Sequence, residues 1–521
     1  MIDLNFKRII SLSLSILLVF AVSACGKQDG KKTESGTSSS PNSDTKIEPI
    51  SSVKGEGDKE GVVFVGDDSY VTPERMRKLN GGHTSYSDEK ALALTDEITN
   101  AKDSIKVSGN TYYISNNGKD TNDGKTPQTA WKSVKALSVH RNLIRSGDAV
   151  LFQRGGIYRG NFAVTSGVTY GAYGEGEKPC IYGATTNAAN SDWRRTSVEN
   201  VYALYINSTD IGLMVYNHGE HHSTKIMTSV WDLRDDFEFY HDLKKSILYV
   251  YSSKGNPRDL YYDIELCENV HIITVNSKVK DVTIDNLTIK YGGAHGIACK
   301  SLVENITVTN CEIGWIGGSI QSGETRWGNG IEFYGGVSNS KVSNNWVYQC
   351  YDTGITPQYG NYAVETAVNL EFTNNLIEYC TMSLEIWWSL KDRETGLHID
   401  NPDAKMENIM ISDNIMRFAG YGFGKERPDP ARTGHIISSA QSMNRANNVV
   451  IKNNIFDTST HQNVYYQANK TEWIPKFEGN TYIADKDTNI LFIKDVATVK
   501  ADTSAERAAK KVDATATVIL K

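Results

Sequence analysis

Between residues 283 and 456 one short pattern of apolar and polar positions returns six times: TIDNLTI (283–289), VTNCEI (308–313), VSNNWV (342–347), FTNNLI (372–377), ISDNIM (411–416) and IKNNIF (451–456). Each copy alternates apolar and polar residues like a half-buried strand, breaks at a polar pair, and resumes with apolar residues. Asn286, Asn310, Asn344, Asn374, Asp413 and Asn453 share one column, and Asn345, Asn375, Asn414 and Asn454 share the next. Successive copies lie 24, 34, 30, 39 and 40 residues apart. A minimal coil of about two dozen residues with insertions of variable length predicts a solenoid, whose units bury their apolar faces only by stacking on one another. Asparagines repeated at one turn suit that arrangement, because each side-chain amide can donate to and accept from its copy one coil away. Their role is structural.

With that turn fixed, the other strands follow. VYQC, IEYC and MRFA come directly after it and form a third sheet; GITPQ, SLEIWW and GFGKE come after the next turn and form a first sheet. HGIACK and NGIEFY join the first sheet, since Ile297 and Ile331 each precede the ladder column (Cys311, Asn345) by 14 residues. The first sheet thus collects segments at 296, 330, 354, 383 and 422. Ile355 follows Cys350 by five residues and Leu384 follows Cys380 by four, so one turn is a residue shorter. Glu385 is placed outward because an unpaired buried carboxylate is costly, and because Phe423 repeats the four-residue offset after Ala419.

Upstream, from Thr111, short strands of Val, Ile, Tyr and Phe alternate with Asn, Asp and Gly turns in TYYISNNGKDTNDGKTPQTAW, SGDAVLFQRGGIYRG and GVTYGAYGEGEKPCIYG. Residues 185–262 interrupt the coils with a β-hairpin insertion, FEFYHD and ILYVYSS around a Leu-Lys-Lys turn. Residues 61–110 read as a small N-terminal cap, with a strand at Val62–Val65 and helical stretches in Pro73–Leu79 and Asp88–Lys106. These segments resemble the opening coils of secreted right-handed parallel β-helix proteins of the pectate-lyase-like superfamily, and the likeness extends over 111–521. The resemblance implies an all-β fold, an asparagine ladder between the second and third sheets, and polysaccharide bound in a groove over the first. That superfamily holds lyases, hydrolases, epimerases and binding proteins, so the reaction stays open.

The start of the chain adds a location. Lys7 and Arg8, an apolar run from Ile9 to Val22, and small residues at Ser23 and Ala24 make residues 1–25 a secretory signal, too short to span a membrane. Val22-Ser23-Ala24-Cys25 resembles a bacterial lipobox, which implies lipidation at Cys25 and an anchor on the outer face of the cell membrane. Residues 26–60 are Ser, Thr, Lys, Gly and Asp with almost nothing apolar, a disordered tether. A net charge of -7 without a basic block argues against nucleic acid. The remaining cysteines, at 180, 267, 299, 311, 350 and 380, fit no zinc spacing and read as buried thiols. A monomer is expected.

The insertions point to the chemistry. Extra residues at 317–328, 358–365, 389–406 and 426–446 all flank the first sheet and wall a groove over it. With Ile331 inward, Glu332 points into the groove, and Ala298, Thr356 and Glu385 hold the equivalent positions. Carboxylates two coils apart stand roughly 9 to 10 Å apart at the backbone, near the separation of about 6.5 to 9.5 Å used by inverting glycosidases. Asp352, at the turn before Gly354, is a third candidate acid. Arg326, Trp327, Tyr334, Gln358, Trp388, Lys425, Arg427 and His435 are candidate substrate contacts, with Trp387 and Trp388 adjacent so that one packs inward. The expectation is a glycoside hydrolase acting on polysaccharide or oligosaccharide. The alternatives are a polysaccharide lyase with Lys425 or Arg427 as base, and a non-catalytic glycan-binding protein. No cofactor is expected, with calcium left possible.

Overall fold

The computed structural model describes residues 83–103, 105, 107–360, 366–389, 405–427, 433–438, 446–468 and 470–521, without the side chains of 359, 360, 388 and 389. Three ten-stranded sheets run through these residues, parallel throughout except where Asn489–Ile493 meets Ala497–Lys500 at the edge of the first sheet. One coil shows the path: Val337–Ser343 lies in the second sheet, Trp346–Cys350 in the third, Thr353–Gly360 in the first, and Thr366–Thr373 returns to the second. The fold is a right-handed parallel β-helix, as the repeat and the resemblance implied.

The interior is one apolar cluster of stacked rows. Ile297, Ile331, Ile355, Leu384, Ile436 and Val464 are successive cross-strand partners, and each is fully buried. Each such side chain contributes about 1.5–3 kcal/mol of burial, so the row fixes the register of the first sheet more strongly than any surface contact. At the N-terminal end the short helix Lys135–Val139 adds Ala136 and Leu137 to the cluster; at the C-terminal end Ala505–Ala509 adds Ala505 and Ala509.

The two asparagine columns have different jobs. Asn345, Asn375, Asn414 and Asn454 are buried, and each backbone N–H donates to the next side-chain oxygen at 3.1, 3.0, 3.1 and 2.9 Å, ending on Asn480. Their amide nitrogens repeat the same step at 3.0, 3.0, 2.9 and 3.0 Å, and Asn480 passes it on to the buried Asp513. Asn344, Asn374, Asp413 and Asn453 instead hold left-handed backbone, with φ of 55, 54, 59 and 54°. Asn and Asp tolerate that region better than other L residues. An additional exposed ladder joins Asn339, Asn369, Asn408 and Asn448 at 2.8, 3.0 and 2.8 Å.

One expectation needs correction and two gain detail. The N-terminal helix, Asp88–Thr99, lies along the outside of the third sheet, where Ala91, Leu94 and Ile98 share an apolar cluster with Tyr182, Trp346, Leu376 and Tyr379. That face carries the buried charges Glu378, Arg417 and Asp457, and Asp88 pairs with Arg417. The hairpin Glu238–Asp242 with Ile247–Tyr251 is present, but it belongs to a five-stranded sheet beside a three-stranded one, so the insertion is a subdomain with its own cores. GFGKE is not a first-sheet strand: Phe423–Glu426 is a 3₁₀ turn, and Gly434–Ser438 takes the strand position. Gly422 and Gly424 press on the carbonyls of Tyr379 and Tyr351, where a Cβ would clash, and this sends the chain outside the coil. The strand at 62–65, the stretch at 73–79, the leader, the tether and Cys25 lie outside the described residues. The six other cysteines are buried and none is joined in a disulfide among the described residues, as the sequence suggested.

Candidate active site

The register of the first sheet sets the site. Ala298 pairs with Glu332 and Glu332 with Thr356; Ile355 pairs with Leu384, which sets Glu385 beside Thr356, and Glu385 pairs with Ile437. Because the isoleucine and leucine row points inward, the Glu332, Thr356 and Glu385 row points outward on three consecutive strands. The one-residue shorter turn before Leu384 leaves this register intact. The support drawn from Phe423 falls away with the reassignment of its segment.

Two adjoining cavities lie over the row. One, of about 460 Å³, is lined by Glu385, Trp387, Tyr351 and Arg427 among others; the second, of about 420 Å³, is lined by Glu332, His295, Trp327 and Tyr334. Gln321, Arg326, Asp352 and Gln358 line both, so the two make one groove with a glutamate in each half.

The wall is built by ion pairs across three segments. Arg326, on the small hairpin Ile320–Ser322 with Thr325–Arg326, reaches Glu426 at 2.6 Å and lies 4.3 Å over the Tyr351 ring. Glu426 also accepts the Lys225 backbone N–H at 3.2 Å. Burial raises the Glu426 pKa, and the Arg326 charge offsets that only in part. Lys225 in turn meets both oxygens of Asp210 at 2.6 Å, and Asp210 accepts the Ile320 N–H at 2.7 Å. The insertion therefore braces the wall from behind. Arg427 pairs with Asp352 and lies 5.8 Å from the centre of the Tyr351 ring.

Glu332 is held by side chains from several coils. Asn329 Nδ2 donates to Glu332 Oε1 at 3.2 Å, and His295 Nε2 lies 3.2 Å from Glu332 Oε2. His295 stacks on His271 at 4.9 Å, with Trp327 edge-on to both rings, and Lys300 Nζ is 3.3 Å from His271 Nε2. Burial pushes the Glu332 carboxyl up, but His295, Lys300 and His271 together outweigh it, and its pKa ends below the ordinary glutamate value. His271, desolvated and close to His295 and Lys300, is pushed down to about 3 and is neutral at ordinary pH. Glu385 accepts from Gln358 Nε2 at 3.2 Å. Between the two acids, the buried Thr356 Oγ1 meets no hydrogen-bond partner among the described residues.

Of the residues singled out from the sequence, Glu332, Glu385, Asp352, Arg326, Trp327, Tyr334, Gln358 and Arg427 line the groove. Lys425 does not; it is exposed on the turn that leaves the coil. Nor does His435. It is fully buried at the start of its strand, its ring on Phe456 and Nδ1 3.0 Å from Ser383 Oγ, and burial lowers its pKa to about 4. Trp387 occupies the groove, while the Trp388 side chain lies outside the described residues. His295, Asn329, Lys300, Gln321 and Tyr351 are further lining residues that in-out alternation does not single out. One signal was available: His295 and Asn329 each stand directly before a Gly-Ile pair.

No family model matches the chain, and no curated protein matches it in sequence. Among solved structures it is similar to a glycoside hydrolase at 9% identity, over 79% of this chain and 96% of that one, with a TM-score of 0.48. It is also similar to XylC in complex with xylose, at 13% identity over 79% and 82% with a TM-score of 0.43, and to pectate lyase Pel9A, at 10% identity over 74% and 70% with a TM-score of 0.36. Likenesses this distant say nothing of the reaction.

Proposed function

We propose that this chain is a glycoside hydrolase that cleaves a neutral glycan in the groove over its first sheet, held outside the cell by a lipid on Cys25. The observation that carries this reading is the outward row of Glu332, Thr356 and Glu385: two carboxylates two strands apart in one groove. At about 4.8 Å per strand they stand roughly 9 to 10 Å apart at the backbone. That spacing leaves room for a water on one face of the sugar, and so for inversion. Glu332, whose carboxyl lies below the ordinary glutamate range, is the general base and takes a proton from the attacking water. Glu385, which accepts from Gln358 Nε2, is the general acid; it gives its proton to the leaving glycosidic oxygen as the anomeric C–O bond breaks. Asp352, tied to Arg427, orients the sugar between them.

The lyase reading loses ground on charge. Its bases were to be Lys425, which is away from the groove, or Arg427, which pairs with Asp352. Arg326 is taken by Glu426. Among the described residues, the four carboxylates Glu324, Glu332, Asp352 and Glu385 line the groove against the three cations Lys300, Arg326 and Arg427, a poor setting for a polyanion.

The test is a panel of neutral and acidic polysaccharides and their oligosaccharides, incubated with the protein and with Glu332→Gln and Glu385→Gln, and the products separated. Release of saturated reducing sugars from neutral glycans, lost in both variants, is the expected result. Equal release by either variant removes that residue from the pair, and binding without products turns the reading to adhesion.

A further inference from the structure

We propose that His295 is a positioning residue for Glu332, presenting an N–H to its carboxylate from a tautomer that the Asn329 backbone fixes. This rests on the assignment of Glu332 as the base. The ring of His295 is buried, and its Nδ1 accepts the Asn329 backbone N–H at 3.0 Å. A neutral imidazole carries one proton, so with Nδ1 accepting, that proton stands on Nε2. Nε2 is the atom that faces Glu332 Oε2 at 3.2 Å, off the alignment of a hydrogen bond, and it meets no other partner among the described residues.

The geometry is locked from both sides. Asn329 Oδ1 accepts the Thr353 N–H at 3.2 Å, which turns its Nδ2 toward Glu332 Oε1. One residue thus orients the glutamate with its side chain and the histidine with its backbone. The His295 ring cannot swing away, because His271 is stacked on it and Trp327 closes its edge. Each of these partners comes from a different part of the coil: His271 from the coil before, His295 from the turn into its strand, and Asn329 from the same turn one coil on. Among the described residues, the charged or titratable groups around Glu332 are His295, His271, Lys300 and the Cys299 thiol, with Asp352, Arg326 and Tyr334 across the shared cavity, and His271 and Lys300 face each other. Purely structural service would be complete with the Nδ1 bond alone; the Nε2 face is turned to the groove.

Two measurements test this on the full chain. With ring nitrogens labelled, NMR at neutral pH is expected to show His295 as the Nε2–H form, with its signals shifted by Glu332→Gln; an Nδ1–H form overturns the proposal without any change to His295. His295→Leu is expected to raise the acidic limb of the kcat/KM profile by about one unit, a tenfold change in ionisation at the limb, and to lower Tm as well, because the buried Asn329 N–H loses its acceptor. His295→Gln, which keeps a donor, is expected to return the limb toward its original place. An unmoved limb in His295→Leu while Glu332→Gln is inactive refutes the positioning role alone; an active Glu332→Gln refutes the base beneath it.

Discussion

Two stacked columns run along this solenoid at the same coil spacing, and they obey opposite rules. The ladder column repeats one residue, Asn345, Asn375, Asn414, Asn454 and Asn480, and each copy satisfies the next. The groove column changes at every step, Ala298, Glu332, Thr356, Glu385 and Ile437, and its two glutamates are held by side chains outside the column, Asn329 and Gln358. A polar row closed on itself holds a coil and has nothing left to offer a ligand. A row whose polar atoms are satisfied from outside, or left open like Thr356 Oγ1, can do chemistry.

That contrast is open to breaking. The largest effect is expected at Glu332 and Glu385: replacing either by Gln should cut kcat by about 10² to 10⁴-fold with Tm hardly moved, read by steady-state rates and thermal unfolding. Next comes the ladder. Asn414→Ala strands the buried donors of Asn375 and removes the bond to Phe372 O, and should cost about 2–4 kcal/mol in denaturant titration while the folded fraction keeps its kcat/KM. A smaller loss, about 1–2 kcal/mol, is expected for Asn374→Ala, whose left-handed backbone an alanine strains, and Asn374→Gly should cost less than the alanine. The pH profile sharpens the groove side. The Glu332 pKa is lowered in the folded protein, so its base form survives to lower pH than an ordinary glutamate; the acidic limb of kcat/KM should fall below about 4.3. By the same sign, Glu332 contributes stability above its unfolded pKa that is lost as pH falls through the folded one, and Glu332→Gln should flatten that slope. Smallest of all, Lys425→Ala should change neither rate nor stability measurably, since its side chain is exposed outside the groove.

The sequence disclosed the periodic side of this contrast far better than the aperiodic one. Asn345 and its copies announce themselves because each must match its neighbour, and the inward isoleucines then fix which way Glu332 and Glu385 face. Asn480 lies in FEGNTY (477–482), in register with IKNNIF, but Gly479 and Thr481 stand where the four preceding copies have Asn or Asp and an apolar residue, which blurs the pattern, and Asp513 ends the ladder outside any copy of it. The groove side is held by contacts between residues distant in the chain, such as Arg326 with Glu426 and Lys225, and no spacing rule connects those. Gly422 and Phe423 imitate a first-sheet segment, yet the strand lies a dozen residues later, because close packing on Tyr379 and Tyr351 diverts the chain. His295 and Asn329 sit where a turn becomes a strand, and there the alternation that places Glu332 does not yet apply.

The central claim is that Glu332 and Glu385 deliver one water across a glycosidic bond. Turnover in water carrying heavy oxygen, followed by mass spectrometry of the products, tests it most directly. The account predicts one heavy oxygen at each new reducing end with the wild-type chain and no labelled product with Glu332→Gln or Glu385→Gln. Unsaturated, unlabelled products would contradict it, as would label incorporated at the wild-type rate by either variant.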